Sequence, residues 1–307
     1  MTRRKIVIAT RESPLALAQT EIVKSALIKH HPHLSIEILG ITTQADKRLD
    51  VTLTEIGGKG LFVKELEEAL LDGRADIAVH SMKDVPMDLP SDLILPVIMK
   101  RAEVRDAFVS NQFASLQQLP TGASIGTSSL RRQTQIRAIR PDVVLLPLRG
   151  NMNTRLKRLD QGDFDAIILA AVGLNRLHMS DRIRAYFSTE DSLPSAGQGA
   201  LGIECRENDE AIMKLIEPLN DEITNQCVTA ERAVCRKLNG GCKVPVAAYA
   251  EIHHDKLMLR GLVANRDGTR ILRSKREGEP QNADNIGTRV GDELLQQGAD
   301  KILKEFI

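Results

Sequence analysis

The sequence predicts an α/β protein made of two similar lobes followed by an α+β domain, on three observations. First, apolar runs of strand length alternate with helical patterns through the first two thirds of the 307 residues, the texture of βαβ units around a mixed, largely parallel sheet flanked by helices. Second, two pairs of stretches echo each other in order. Glu67 to Asp76 leads into Ile77-Ala78-Val79 as Leu156 to Asp165 leads into Ala166 to Leu169, and Ile8-Ala9-Thr10 with Arg11 and Ser13 matches Ile125-Gly126-Thr127 with Ser129 and Arg131. Two lobes of one topology facing a cleft account for both echoes. Third, the texture changes near Asp221, and a chain of this length exceeds one ordinary core. The expected domains are 1–99 with 200–217, then 100–199, then 218–307.

Lys5 to Ala9 reads as the first strand. Ser13-Pro14 supplies an N-cap and a first-turn proline for a helix to about His30, and Ser35 to Ile41 returns as a strand. Residues 42–58 have no period and end in Gly57-Gly58-Lys59-Gly60, which predicts a long surface loop before a helix near Leu61 to Leu71. A buried strand follows at 76–79. Ala200 to Cys205 is a further apolar strand after a Pro/Gly-rich passage and is expected to return to the first lobe's sheet. The last domain reads as a helix through Val228 and Val234, three alternating runs (246–252, 257–264, 270–276) and two helices.

Composition narrows the function classes. At 42% apolar and 27% charged the chain is a globular domain former and not a disordered one. Its 42 basic and 41 acidic residues nearly cancel, and with no Trp, two Tyr and six Phe it offers neither the field nor the rings of a nucleic-acid binder. No apolar run reaches a membrane span and no signal-peptide core follows the basic start, so a cytoplasmic protein is expected. Cys205, Cys227, Cys235 and Cys242 lack zinc-type spacing and read as reduced thiols, with no metal site expected.

The most informative segment is Gly126-Thr127-Ser128-Ser129-Leu130-Arg131-Arg132, where a strand ends and a helix begins. Open N–H groups, hydroxyls and two guanidiniums suit an anion, and an ordinary Ser N-cap with solvated arginines is the plainer reading. Arg11, Arg149 before Gly150-Asn151, Arg155 and Arg176 recur where strands give way to helices, the edge at which open α/β sheets bind ligands. Arginine suits planar carboxylates, so a ligand with several carboxylates is implied. Lys83-Asp84 follows the 76–79 strand. It offers a carboxylate for cation stabilisation or proton transfer, or else a surface turn closed by Pro86. Cys242 lies in a glycine-rich loop beside Lys243, whereas the other three cysteines lie in regular elements.

Taken together, these residues resemble the hydroxymethylbilane synthase (porphobilinogen deaminase) family. The resemblance rests on Ala9 to Ala16, Gly57 to Phe62, His80 to Pro86, Gly126 to Arg132, Leu148 to Asn151, Gly197 to Ala200 and Gly240 to Cys242. It implies two lobes like those of periplasmic binding proteins plus a C-terminal α+β domain with a three-stranded sheet. It also implies a transferase of heme and other tetrapyrrole biosynthesis that polymerises four porphobilinogen molecules with loss of ammonia, on a dipyrromethane cofactor held in thioether linkage by Cys242. By the same resemblance Asp84 is catalytic. Lys83, Asp84, Thr127, Ser128, Ser129, Arg131, Arg132 and Gly173 hold the cofactor, and Arg11, Ser13, Lys59, Arg149, Asn151, Arg155, Arg176 and Gln198 hold substrate. A cytoplasmic monomer that hands its product to uroporphyrinogen-III synthase is implied, with no nucleic acid or membrane partner. Glu55, where relatives commonly have lysine, and Ala45, where they have glycine, depart from the pattern within the 42–58 loop. A two-lobe protein that captures a polycarboxylate without catalysis, or an effector-binding regulator, are the alternatives. The first needs neither Asp84 nor Cys242, and the second needs a DNA-reading helix pair that the sequence does not display.

Overall fold

In the computed structural model, residues 5–44, 60, 62–240 and 244–306 are described. Strand β1 (Lys5–Arg11) opens the chain and helix α1 (Pro14–His30) follows. The Ser13 side chain accepts the Ala16 N–H at 3.3 Å, Pro14 fills the first turn, and Lys29 and His30 face the negative helix end. Strand β2 (Ser35–Ile41) then runs parallel to β1. Helix α2 spans Lys64–Leu71, and just before it the Gly60 carbonyl accepts the N–H groups of Val63 and Lys64; Leu61, the expected start, lies outside the described residues. Strand β3 (Ile77–Ser81) is parallel to β1 and longer than the expected 76–79, so His80 and Ser81 belong to the strand. After β4 (Leu93–Ile98) the chain enters its second unit.

There, β5 (Asp106–Val109) precedes β6 (Ser124–Gly126), α3 (Leu130–Ile139), β7 (Val144–Leu146), α4 (Met152–Asp160), β8 (Ala166–Ala170), α5 (Ala171–Arg176) and the short β9 (Ala185–Tyr186). The chain then returns as β10 (Leu201–Arg206), which inserts antiparallel between β3 and β4, the return to the first sheet that the sequence predicts. Helix α6 (Glu210–Ile216) closes the first unit, residues 1–102 with 199–225. The second unit takes residues 103–198 with 226–307.

The two sheets share a plan. The first has the order β2-β1-β3-β10-β4 and the second β7-β6-β8-β5-β9, with three parallel strands followed by an antiparallel one in each. The internal echo falls on matching places, since β1 and β6 hold the second position and β3 and β8 the third. Even the local bond repeats. Asp76 accepts the Val7 N–H at 2.7 Å just before β3, and Asp165 accepts the Ser124 N–H at 2.7 Å just before β8. Apolar layers on each sheet hold the units together, with Ile8, Leu27, Ile77 and Ile203 fully buried in the first and Phe108, Ile125, Ile167 and Leu174 in the second.

Helix α7 (Glu222–Lys237) leads to an antiparallel meander of β11 (Val246–His253), β12 (Lys256–Ala264) and β13 (Ile271–Gly278), backed by α8 (Ala283–Gln296) and α9 (Ala299–Leu303). This is the three-stranded α+β arrangement expected of the last third. Within the second unit Glu231 of α7 accepts the N–H of Gly197 at 2.7 Å and of Ala250 at 2.8 Å, and Leu193 packs with Ala247, Leu262 and Ala264.

Candidate active site

In the first unit the candidate residues gather at the carboxyl ends of β1 and β3. Arg11 ends β1 half-buried, its guanidinium 4.6 Å from the centre of the Phe62 ring, and Ser13 caps α1 beside it. Strand β3 runs straight into a single turn of tight helix, Met82–Asp84. Met82 is 1% exposed, its N–H donates to the Ala200 carbonyl at 3.1 Å, and Gly202 leaves the room it fills, since a Cβ there would lie 2.4 Å from the Met82 sulfur. Gln19 of α1 donates to Ser81 Oγ at 2.8 Å, locking the last strand residue. The turn is thus anchored from behind and presents Lys83 and Asp84 partly exposed. Among the described residues the Asp84 carboxylate has no hydrogen-bond or ion-pair partner. Lys59, Glu55 and Ala45 lie outside the described residues.

In the second unit three parallel strands end on one edge, and each delivers candidate residues. After β6, Thr127 is buried, and the Ser128 hydroxyl donates to the Leu148 carbonyl and accepts the Leu148 N–H, both at 3.0 Å, which ties this loop to the one after β7. After β7, half-buried Arg149 precedes Gly150 and Asn151. Asn151 caps α4 by accepting the Thr154 N–H at 3.0 Å, and Arg155 Nε donates to the Gly150 carbonyl at 2.8 Å. After β8, α5 carries buried Gly173 and, at its last residue, Arg176. Burial pushes the Arg176 guanidinium down to about 10, still ionised at neutral pH.

Arg131 and Arg132 are placed differently from solvated arginines. Both are buried, and both point at Asp106, the first residue of β5, whose carboxylate is fully buried. Arg131 lies 2.9 Å from Asp106 Oδ2 and Arg132 2.7 Å from Oδ1, while Ser192 at 2.9 Å and Gln198 Nε2 at 3.0 Å complete the shell. Burial alone would raise the Asp106 carboxyl, but the two guanidiniums hold it well below the usual carboxylate range. Gln198 is fully buried and also donates to the Val104 carbonyl at 2.6 Å. Ser129 occupies the N-cap position of α3 without a side-chain capping bond. Sequence reasoning missed Asp106, and the signal available was a carboxylate opening the apolar run Ala107-Phe108-Val109.

Cys242 lies outside the described residues. Cys205, Cys227 and Cys235 are buried, and burial pushes the Cys205 thiol up to about 11. Among the described residues no helix is long and apolar enough to cross a membrane, and no group of three His, Cys, Asp or Glu side chains is placed to hold a metal ion. The donor set, guanidiniums with hydroxyl and amide N–H groups, fits a group bearing several carboxylates. One buried donor, Arg132 Nε, has no partner among the described residues.

Two family models match the chain. That for porphobilinogen deaminase, dipyrromethane cofactor binding domain, matches residues 6–214, and that for porphobilinogen deaminase, C-terminal domain, matches residues 225–296. Among solved structures, a lipoprotein of the YaeC family from Enterococcus faecalis is 15% identical over 71% of this chain and 92% of its own, with a TM-score of 0.42. A periplasmic substrate-binding protein of an ABC transporter from Coxiella burnetii is 14% identical over 70% and 92%, with a TM-score of 0.43. The periplasmic VFT2 domain of BvgS from Bordetella pertussis is 17% identical over 69% and 84%, with a TM-score of 0.39.

Proposed function

The chain belongs to the porphobilinogen deaminase family, and on that premise we propose which of its residues perform the family's reaction and how. The protein is a transferase of tetrapyrrole biosynthesis that uses a dipyrromethane cofactor and takes porphobilinogen as substrate. The cofactor, attached through Cys242, supplies the nucleophilic pyrrole end on which the chain grows.

Asp84 carries the chemistry. Its half-buried carboxylate, held at the end of β3 with Met82 packed behind it, accepts hydrogen bonds from pyrrole N–H groups and stabilises the positive charge that develops as ammonia leaves. Lys83 beside it, with Arg11 and Ser13 at the end of β1, binds acetate and propionate groups. Lys59 holds substrate carboxylates in the same way. In the second unit Thr127, Ser128, Ser129 and Gly173 line the cofactor's seat, and Arg131 and Arg132 are fixed there by Asp106. Arg149, Asn151, Arg155, Arg176 and Gln198 hold the pyrroles that follow. By family resemblance the protein works as a cytoplasmic monomer and passes its product to uroporphyrinogen-III synthase.

The observation that carries this reading is the anchored Met82–Asp84 turn, which presents a half-buried carboxylate at the carboxyl end of β3. Asp84→Ala is expected to fold and to lose about 10²- to 10⁴-fold in ammonia release; turnover within a few fold of wild type refutes the assignment. The intact mass of the purified protein is expected to exceed its sequence mass by one dipyrromethane, with a ladder of single-pyrrole steps on adding porphobilinogen. Cys242→Ser loses the adduct and Cys205→Ser keeps it. An adduct mapped by peptide digestion to another cysteine overturns the assignment.

A further inference from the structure

Behind the Asp84 turn lies a buried acidic cluster that the reaction as described does not use. His80 of β3 and Glu204 of β10 are 4% and 1% exposed, and His80 Nε2 lies 2.8 Å from Glu204 Oε2. Glu204 pairs in register with Ala78, two residues before His80, so both side chains project from the face of the sheet against which α2 packs through Leu66, Ala69 and Leu70. From that helix comes Glu67, also buried. Oε1 of Glu204 and Oε1 of Glu67 are both shut away from water with no hydrogen-bond partner among the described residues. Two neighbouring buried carboxylates with an orphaned oxygen each are costly when both are ionised, and a proton on one relieves the repulsion.

We propose that Glu67, Glu204 and His80 form a proton-holding positioning cluster in which protonated Glu67 leaves Glu204 free to pair with His80. The pair fixes the end of β3, and with it the orientation of Lys83 and Asp84. The cluster touches no reacting atom and acts through the strand that bears the catalytic carboxylate, so the proposal rests on the reading of Asp84 given above. The groups bearing on Glu67 favour this state. Burial and Glu204 push its carboxyl up, to about 7, with Glu68 on its own helix adding and His80 opposing. β1 meets the helix through apolar Ala9. Raising the pH through about 7 therefore puts a second negative charge beside Glu204 and loosens its hold on His80.

The test is Glu67→Gln in the cofactor-loaded protein, since glutamine mimics the protonated acid. Three results are expected. The wild type shows a carboxylic-acid carbonyl stretch in infrared difference spectra that vanishes as the pH rises through about 7, and E67Q lacks it. The fall in wild-type kcat over the same interval is absent in E67Q, with KM unchanged. The Tm of E67Q gains on that of the wild type as the pH rises from 4.5 to about 7, because an acid with a raised folded pKa costs stability on ionisation. Should E67Q fail to fold, Glu204→Gln serves instead, where removal of the neighbouring charge moves the acid band to lower pH. A wild type without the band, or E67Q and wild type with superimposable kcat profiles, overturns the proposal. A fully active Asp84→Ala with the band intact instead refutes the catalytic reading and leaves the buried proton in place.

Discussion

Asp106 shows how much a single buried charge can decide. Removing the anion from between two buried guanidiniums leaves them uncompensated, so Asp106→Asn is expected to cost about 3–5 kcal/mol in urea denaturation. Ser192→Ala, which deletes one donor to the same carboxylate, is expected to cost about 1 kcal/mol. The pH dependence has a definite sign. The Asp106 carboxyl titrates below its unfolded value, so its stabilisation is present above about pH 3.9 and is lost as the pH falls toward the depressed folded value. The acid limb of the wild-type stability curve is therefore steeper than that of D106N. The sequence displayed Arg131 and Arg132 clearly but not their partner, because a pairing across 25 and 26 residues leaves no local pattern. Glu204 was legible only as a charge inside an apolar strand, and Glu67 looked like any acidic helix residue.

Among the elements, those with local causes were readable. The Ser13-Pro14 start predicts α1, and alternation fixes the meander. β4, interrupted by Pro96, and three-residue β7 are too short or irregular to carry a period, so they became visible only as members of their sheets. The turn into α4 gives a test at this scale. Gly150 has φ +101°, and a Cβ there would lie 2.7 Å from the Thr154 methyl group, whereas Gly73 has φ +72° with nothing within 4 Å. Gly73→Ala is expected to cost about 1–2 kcal/mol, the left-handed penalty alone. Gly150→Ala adds a packing clash of about 1–3 kcal/mol and shifts Arg149 and Asn151 on either side. Chemical denaturation compares the two, and equal losses would show that the Thr154 contact relaxes freely.

For the whole molecule the decisive feature is that β10 belongs to a sheet whose other strands precede it by more than a hundred residues. A fragment of residues 1–102 lacks the strand between β3 and β4 and is expected to show no cooperative urea transition by far-UV circular dichroism, whereas the intact chain does. A cooperative fragment would show that the three parallel strands suffice. The sequence revealed this return through one apolar run after a Pro/Gly-rich passage, and the pairing partners came only with the sheet. Vectorial synthesis inherits the same topology. While the ribosome is still making residues 103–198, the nascent first sheet already has β1 to β4 but carries an open slot lined by unpaired backbone on two strands, the kind of edge that recruits foreign strands. The second sheet has all five of its strands by Tyr186, before the first is whole. Chaperone dependence during translation should therefore peak in the interval between emergence of β4 and emergence of β10, and ribosome profiling of chaperone-bound nascent chains would locate it.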